Sequence, residues 1–360
     1  MIPHAQRGHL YYSFVFCRLK AKSSGFIRPT NNKHRPRLVT TTDHTEGIHL
    51  RMKKFNLLVL LLVLTLAGTA VFAQRGEINK VPHGINPNSE SPIWPGFALT
   101  TGGTRKTTAM SYHGGPLIAT PTIYIIWYGN WNQNNGSDDA NGQALIKTWA
   151  MSIGGTPYFD LNSSLSAGGT GITGNVTYGG EITDSGTSTS LSDADIQAIV
   201  NRNVGGSKLQ YDPDAVYFVV TSSNVNETSG FCTQYCGWHT YGNVTAGHVR
   251  YAFVGNANRC LSACAAQKTS PNGNAGVDGA ISVLSHELEE ATTDPDLNAW
   301  YDSRGAENAD KCAWTFGHYQ FQAPNGSWAN MTFGGRNWLI QRNILRSGNN
   351  YYCMVDSSHN

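Results

Sequence analysis

Basic residues are scarce in most of this chain. From Gln74 to the C-terminus there are 15 Lys and Arg residues against 22 Asp and Glu residues, a balance of about −7. Nucleic-acid phosphates and anionic membrane faces attract basic surfaces, so this balance argues against both as partners. The sequence also lacks a Gly-x-Ser-x-Gly elbow and a P-loop, which argues against a serine hydrolase of that type and a P-loop nucleotide-binding protein.

Cysteine is sparse as well, and the seven cysteines are unevenly placed. Cys17 is isolated near the N-terminus, whereas the other six lie in the second half of the chain. An even number in an exported protein predicts three disulfides, although spacing does not identify the pairs and metal ligation is the alternative. A cysteine nucleophile is not expected, because all six can pair: Cys232, Cys236, Cys260, Cys264, Cys312 and Cys353.

The chain contains one long hydrophobic run, from Leu57 to Phe72. Met52-Lys53-Lys54 precedes it and Val71-Phe72-Ala73 ends it, which predicts a signal peptide at 52–73 with cleavage after Ala73. An uncleaved membrane anchor is the alternative. Residues 1–51 carry nine basic and two acidic residues, and we expect them to be a gene-model artefact or a disordered leader. A transit peptide would leave the hydrophobic run unexplained.

After cleavage we expect a flexible lead-in at 74–92 and a single domain at 93–356. The runs 122–128 and 215–221 are β-branched and aromatic, so they predict buried strands, and 249–254 predicts a third. Residues 140–153 have helical spacing, and Ser192 with Asp195 predicts a capped helix start. The order of elements predicts an α+β fold with a mixed sheet, the class to which the zincins also belong. The alternative is a doubly wound α/β sheet.

The segment from Ser285 to Asp302 is the richest in residues that could bind a metal or act as a catalytic base. His286 and Glu290 are four residues apart and share one face of a predicted helix, with Glu287 between them. This His-Glu-x-x-Glu pattern resembles the zinc helix His-Glu-x-x-His, in which the first glutamate is the general base. It predicts a metal site at His286 and Glu290 with Glu287 as catalytic base. The alternative is an amphipathic helix with a solvated polar face.

Several further residues are candidates for the same site. Asp296 stands where a third zinc ligand is placed in one zincin branch, and Glu307 with Asp310 either completes the metal shell or lies on a solvated loop. His239 could reach the metal or hydrogen-bond within its own loop, and His113 either stabilises a turn or serves the site. Zinc is the favoured ion; the alternative is an irregular calcium site formed by Asp294, Asp296 and Asp302.

Seven Asn-x-Ser/Thr sequons predict a glycoprotein if the host is eukaryotic. They lie at Asn135, Asn162, Asn175, Asn226, Asn243, Asn325 and Asn330. A separate hypothesis assigns the chain to polysaccharide binding, with exposed tryptophan rings as sugar platforms. The candidates are Trp127, Trp131, Trp300 and Trp338, of which Trp127 sits in an apolar strand and is also expected in the core.

Motifs spread over residues 110–355 resemble the family of EXORDIUM and phosphate-induced protein 1. They are Tyr-His-Gly-Gly-Pro at 112–116, Ile-Trp-Tyr-Gly-Asn-Trp at 126–131, Phe-Cys-x3-Cys-Gly-Trp-His at 231–239, the stretch 277–290, Thr-Asp-Pro-Asp-Leu-Asn-Ala-Trp at 293–300 and Glu-Asn-Ala-Asp-x-Cys at 307–312. The resemblance implies a secreted extracellular or cell-wall protein, linked in plants to cell expansion, hormone response and carbon or phosphate status. It implies no established enzymatic activity.

Two functions follow as hypotheses. The first is a non-catalytic extracellular protein, acting by binding or by growth-related signalling, whose partner is a cell-wall polysaccharide or another extracellular protein. The second is a weak metallohydrolase of peptides or wall polymers, in which a metal on His286 and Glu290 activates water and Glu287 takes its proton. Two carboxylate ligands would make such a metal less electrophilic than a site built from neutral histidines.

Overall fold

A computed structural model describes Thr107 and residues 109–359 of the chain. The predicted leader, signal peptide and lead-in, and the first residues of the predicted domain, lie outside these residues. The helices are α1 (Ala140–Ser152), α2 (Asp193–Asn203), α3 (Leu261–Cys264) and α4 (Ala275–Thr293), with 3-10 turns at Phe159–Leu165, Ala257–Arg259 and Asp310–Cys312.

The strands, in chain order, are β1 (Ser111–Tyr112), β2 (Thr122–Tyr128), β3 (Thr177–Thr183), β4 (Ser190–Leu191), β5 (Ala215–Thr221), β6 (Asn226–Glu227), β7 (Gly237–Val244), β8 (Gly247–Gly255), β9 (Trp300–Tyr301), β10 (Phe321–Gln322), β11 (Trp328–Ala329), β12 (Met331–Phe333), β13 (Arg336–Trp338), β14 (Asn343–Ser347) and β15 (Asn350–Met354). The predicted strands at 122–128 and 215–221 are confirmed, and 249–254 falls inside β8.

Five of these strands form the central sheet in the order β3-β2-β5-β8-β7. Neighbours are parallel except for the edge strand β7, which runs antiparallel to β8. Strand β5 is buried along its whole length, as expected for a central strand covered on both faces. The later strands form two-stranded sheets, so the predicted α+β class with a mixed sheet is confirmed.

Local capping chemistry explains where the helices begin and end. Ser192 and Asp195 form the predicted capping box at the start of α2. Helix α4 begins after Asn274, whose side chain accepts a hydrogen bond from Val277 N, and ends at Thr293 before Asp294-Pro295. None of the helices within residues 109–359 is long and apolar enough to cross a bilayer.

Helix α4 is buried on every side, from Gly276 to Thr293. It packs against β7, β8, α1 and the turns 159–165 and 257–259. On α1, Trp149 Nε1 donates to Ser285 Oγ at 2.9 Å, which ties the two helices together. The alternative of a solvated polar face is therefore wrong, because packed elements cover the polar side of the helix as well as the apolar one.

Three disulfides form, as the cysteine count predicts. Cys232 pairs with Cys260 and Cys236 with Cys264, so two bridges join the segment before β7 to the segment before α4. Cys312 pairs with Cys353 and joins the 310–312 turn to β15. The last bridge lies in a small hydrophobic cluster of its own, with Trp300, Ile344 and Tyr351.

Replacing both Cys312 and Cys353 by alanine should lower the free energy of unfolding by about 2–4 kcal/mol. The bridge spans a sequence separation of 41 residues, so its loss releases the loop in the unfolded chain. Urea unfolding of the variant and the parent protein measures the difference. Equal free energies of unfolding would show that this bridge contributes nothing to stability.

Asp184 joins the end of β3 to helix α2. Arg202 donates to both of its carboxylate oxygens at 2.7 Å, and Gly186 N donates at 2.7 Å. Burial raises the pKa of Asp184, but the hydrogen bonds from Arg202 and Asn203 outweigh burial and hold the pKa below its usual range. The ionised carboxylate is thus more stable in the folded than in the unfolded chain.

Asp184→Asn should therefore lower the free energy of unfolding by about 1–2 kcal/mol at pH 7. Because the folded-state pKa is lowered, the wild type holds its advantage above the unfolded pKa of about 3.9 and loses it as the pH falls through the folded value. Urea unfolding at pH 7, 4 and 3 measures this difference. The control is Asp214→Asn, because Asp214 is exposed. The prediction would be contradicted if the difference in free energy of unfolding between the wild type and Asp184→Asn were the same at all three pH values.

Candidate metal centre

His286, Glu287 and Glu290 lie in the last three turns of α4, and none is exposed to solvent. Helical spacing places His286 and Glu290 on one face. His286 Nε2 is 2.9 Å from Glu290 Oε1. The sequence therefore determines this pair locally, through the helix alone.

Strand β7 brings His239 to the same place. Its third residue, His239, pairs with Ala252 of β8 and is fully buried. The strand approaches α4 closely because residue 237 is glycine: a Cβ there would lie 2.6 Å from Val283 Cγ1 and 3.1 Å from Glu287 Oε1. His239 Nδ1 consequently lies 3.5 Å from Glu287 Oε2 and 3.5 Å from Glu290 Oε2.

The loop after β9 folds back over the C-terminal half of α4. Asp310 N donates to Glu290 Oε1 at 3.0 Å, and Thr293 Oγ1 donates to Asn308 Oδ1 at 3.0 Å. These bonds place Glu307 Oε1 at 3.6 Å from His239 Nε2 and Asp310 Oδ1 at 3.4 Å from His286 Nε2. This loop thus adds two acidic side chains to the histidines and glutamates that helix α4 and strand β7 bring together.

We call the resulting group the histidine–carboxylate cluster. It consists of His239, His286, Glu287, Glu290, Glu307 and Asp310. The first five are at most 1% exposed, and Asp310 is partly buried. Several of their polar atoms form no hydrogen bond despite full burial, namely both ring nitrogens of His239 and of His286, both carboxylate oxygens of Glu287, and Glu290 Oε2.

Unbonded buried polar atoms are costly, and in native proteins they are explained by a bound ion, a water molecule, strain or a catalytic role. The short contacts within the cluster have distances near those of hydrogen bonds but lack suitable geometry. Metal ligands show this arrangement, because ligand atoms around one zinc ion lie about 3.3 Å apart when the bonds are about 2.0–2.1 Å long. The cluster distances of 2.9–3.6 Å agree with that spacing.

The electrostatics single out Glu290. Burial raises the pKa of Glu287 and, to a greater degree, that of Glu307. Burial also acts on Glu290, but the adjacent His286 and His239 outweigh it and lower its pKa. Burial lowers the pKa of both histidines, while the carboxylates around them raise it further than burial lowers it. Glu290 is thus the glutamate of the cluster whose surroundings favour the ionised form.

Within the described residues, two sets of donors have the geometry to hold an ion. One set is His239, Glu290 and Glu307, and the other is His286, Glu290 and Asp310. In each set the ligand atoms lie within 4.8 Å of one another. Both combine one imidazole with two carboxylates, a donor set that suits zinc and other divalent transition ions.

Asp296 does not join the cluster. It accepts from Arg250 Nε at 2.8 Å and Nη2 at 3.1 Å, and lies 2.9 Å from His248 Nε2. Of the further candidate ligands, Glu307 and Asp310 lie beside the histidines and Asp296 does not. The predicted spacing fails because the chain turns away from the helix axis at Asp294, so residues beyond it no longer follow helical geometry.

The three carboxylates of the calcium hypothesis have separate partners. Asp294 Oδ1 accepts from Asn298 N and Ala299 N, both at 2.6 Å, and closes the turn after α4. Burial raises the pKa of Asp294 to about 6. Asp302 pairs with Lys311, and Asp296 pairs with Arg250. Among the described donors, these residues do not form a group that could share an ion.

His113 lies outside the cluster, on an exposed turn. Its ring stacks on Tyr301 with centroids 3.7 Å apart, and Nδ1 lies 3.2 Å from Ala299 O. The following Gly115 packs against Asn298, where a Cβ would overlap the side chain at 1.8 Å. This geometry supports the turn-stabilising interpretation of the Tyr-His-Gly-Gly-Pro motif.

The proposed tryptophan platforms are buried. Trp127, Trp131, Trp300 and Trp338 are 3%, 8%, 3% and 1% exposed, so none offers a ring face to a sugar. Trp127 and Trp131 pack edge to face, and Arg346 covers Trp300. The hypothesis that these four tryptophans are exposed platforms is wrong, because their rings lie in the hydrophobic clusters of the domain.

Sequence comparisons place these motifs in a family. Protein EXORDIUM-like 3 of Arabidopsis thaliana is 31% identical over 223 residues, covering 55% of this chain and 66% of the relative. Protein EXORDIUM-like 5 of the same plant is 28% identical over 231 residues, covering 55% and 61%. The chain thus spans just under two thirds of these curated relatives. No solved structure matches. Since the family model for the phosphate-induced protein 1 conserved region matches residues 110–338, the chain belongs to that family.

Proposed function

We propose that this chain is a secreted extracellular or cell-wall protein with a non-catalytic binding or signalling role, and that a buried divalent metal site stabilises its fold. The observation that carries the proposal is the buried cluster, in which the ring nitrogens of His239 and His286 face carboxylates without forming hydrogen bonds. A divalent cation would satisfy those atoms and balance the buried charge. Zinc suits these donors best.

The same geometry argues for a structural metal. A catalytic metal keeps a coordination position open to substrate and water. Here Glu287, the residue in the general-base position, is fully buried, and its carboxylate faces His239 of β7. The loop with Glu307 and Asp310 covers the remaining side. We therefore do not extend the proposal to hydrolysis.

A zincin-like scaffold is part of this proposal. Helix α4 carries the His-Glu-x-x-Glu pattern and packs under the antiparallel edge of a mixed sheet. Those features support a scaffold that resembles the zincins, with Glu290 in the position of the second histidine and a closed metal site.

Secretion is supported by chemistry and by family. Three disulfides are typical of a protein from an oxidising compartment. The relatives are EXORDIUM-like proteins of a plant, and resemblance to that family implies an extracellular location. The partner, whether a cell-wall polysaccharide or an extracellular protein, would bind an outer surface that the buried tryptophans do not form. In this proposal the metal site does not contact the partner, and its role is to stabilise the fold.

The metal proposal predicts the composition of the purified protein. The secreted product of the full chain, prepared without chelator or histidine tag, should contain zinc or another divalent transition ion by elemental mass spectrometry. Glu290→Gln should lose it. Glu289→Gln is the matched control, since Glu289 is equally buried one residue earlier but is bonded by Asn343.

Chelation gives a second readout that needs no variant. Dialysis against EDTA should lower the melting temperature. Adding zinc at about 100 times its dissociation constant should raise the free energy of unfolding again by about 2.7 kcal/mol. Absence of metal from the wild type, together with a melting temperature that EDTA and zinc leave unchanged, would sink the proposal.

The secretion proposal predicts a pattern of glycans in a eukaryotic host. Asn162 and Asn330 are buried and hydrogen-bonded, so folded protein should carry no glycan at either. Exposed Asn175 and Asn243 should be modified. Peptide mapping of medium-derived protein would test both points and whether its N-terminus is Gln74. A glycan on Asn162, or protein retained in cells, would contradict this part of the proposal.

A further inference from the structure

We infer that the histidine–carboxylate cluster holds two divalent ions, bridged by the carboxylate of Glu290. This inference rests on the proposed metal site and deepens it. One ion would take His239, Glu290 and Glu307, and the other His286, Glu290 and Asp310. Each ion then has an imidazole, the shared carboxylate and a carboxylate of its own.

A single ion does not reach both histidines. With bonds of about 2.1 Å, no two ligand atoms of one zinc ion lie more than about 4.2 Å apart. In the part of the chain that the structure describes, no group of three or more donors within even 4.8 Å of one another contains both His239 and His286. One ion in either place would leave the other imidazole buried and unsatisfied.

The orientation of Glu290 favours a bridge. Its two oxygens face opposite sides of the cluster: Oε1 lies 2.9 Å from His286 Nε2, and Oε2 lies 3.5 Å from His239 Nδ1. A carboxylate between two ions binds one with each oxygen, and paired ions in proteins are about 3.5–4 Å apart. Asp310 N, which donates to Oε1 at 3.0 Å, holds the carboxylate in this orientation.

Charge supports the same count. The cluster contains four carboxyl groups, those of Glu287, Glu290, Glu307 and Asp310. Unbalanced charge is costly in an interior from which water is excluded. One divalent ion would lie at only one of the two donor sets, whereas two ions would place a cation at both.

Metal stoichiometry tests the inference. Elemental analysis and native mass spectrometry of the secreted full-chain product should give two ions per molecule. His239→Ala and Asp310→Asn should each reduce this to one ion, Glu290→Gln should remove both, and Glu289→Gln should keep two. Circular dichroism establishes that each variant is folded before its metal is counted.

A measurement on the wild type decides the matter if the variants do not fold. Protein reloaded with manganese(II) should give the electron paramagnetic resonance spectrum of a spin-coupled pair. One ion per molecule with an uncoupled spectrum would overturn the two-ion inference and leave the proposed metal site intact. Absence of any bound ion would overturn both, and two ions that persist in Glu290→Gln would overturn the bridge.

Discussion

The rest of the structure depends on one constraint: helix α4 is buried together with its acidic side chains. Helix α4 carries Glu287 and Glu290 into an interior where an uncompensated carboxylate is several kcal/mol less stable than in water. The helix supplies only His286 in compensation. The other compensating groups come from elsewhere: the His239 ring from the sheet edge, and the backbone N–H of Asp310, which donates to Glu290 Oε1, from the C-terminal part of the chain. These additions make a helix with a strongly polar face stable at full burial.

The covalent framework holds those partners where the helix needs them. Cys232–Cys260 and Cys236–Cys264 attach the start of β7 to the segment before α4, and Gly237 lets the strand lie close to the helix. Cys312–Cys353 anchors the loop that carries Asp310 to the final hairpin. Loops have little regular structure to keep a side chain in place, so these links reduce the entropy lost when the site forms.

The proposed closed metal site and the proposed export are both compatible with membership in the phosphate-induced protein 1 family. Disulfides and buried metal ligands both stabilise a domain while occupying little of its surface. Under the proposed function, the outer face would then be the part that recognises a polysaccharide or a protein. Such a division separates the residues that hold the fold from those that meet a partner, and the first set is the one assembled around α4.

The sequence by itself determined whatever depends on near neighbours in the chain. Strands β2 and β5, the capped start of α2, the end of α4 at Asp294 and the His286–Glu290 pair all follow from side chains a few residues apart. Only the tertiary structure decided which cysteines pair, that four tryptophans are buried, and that Asp296 binds Arg250 while Glu307 and Asp310 face the histidines. Those outcomes depend on strand order and loop closure, which bring together residues tens of positions apart, and local spacing contains no information about them.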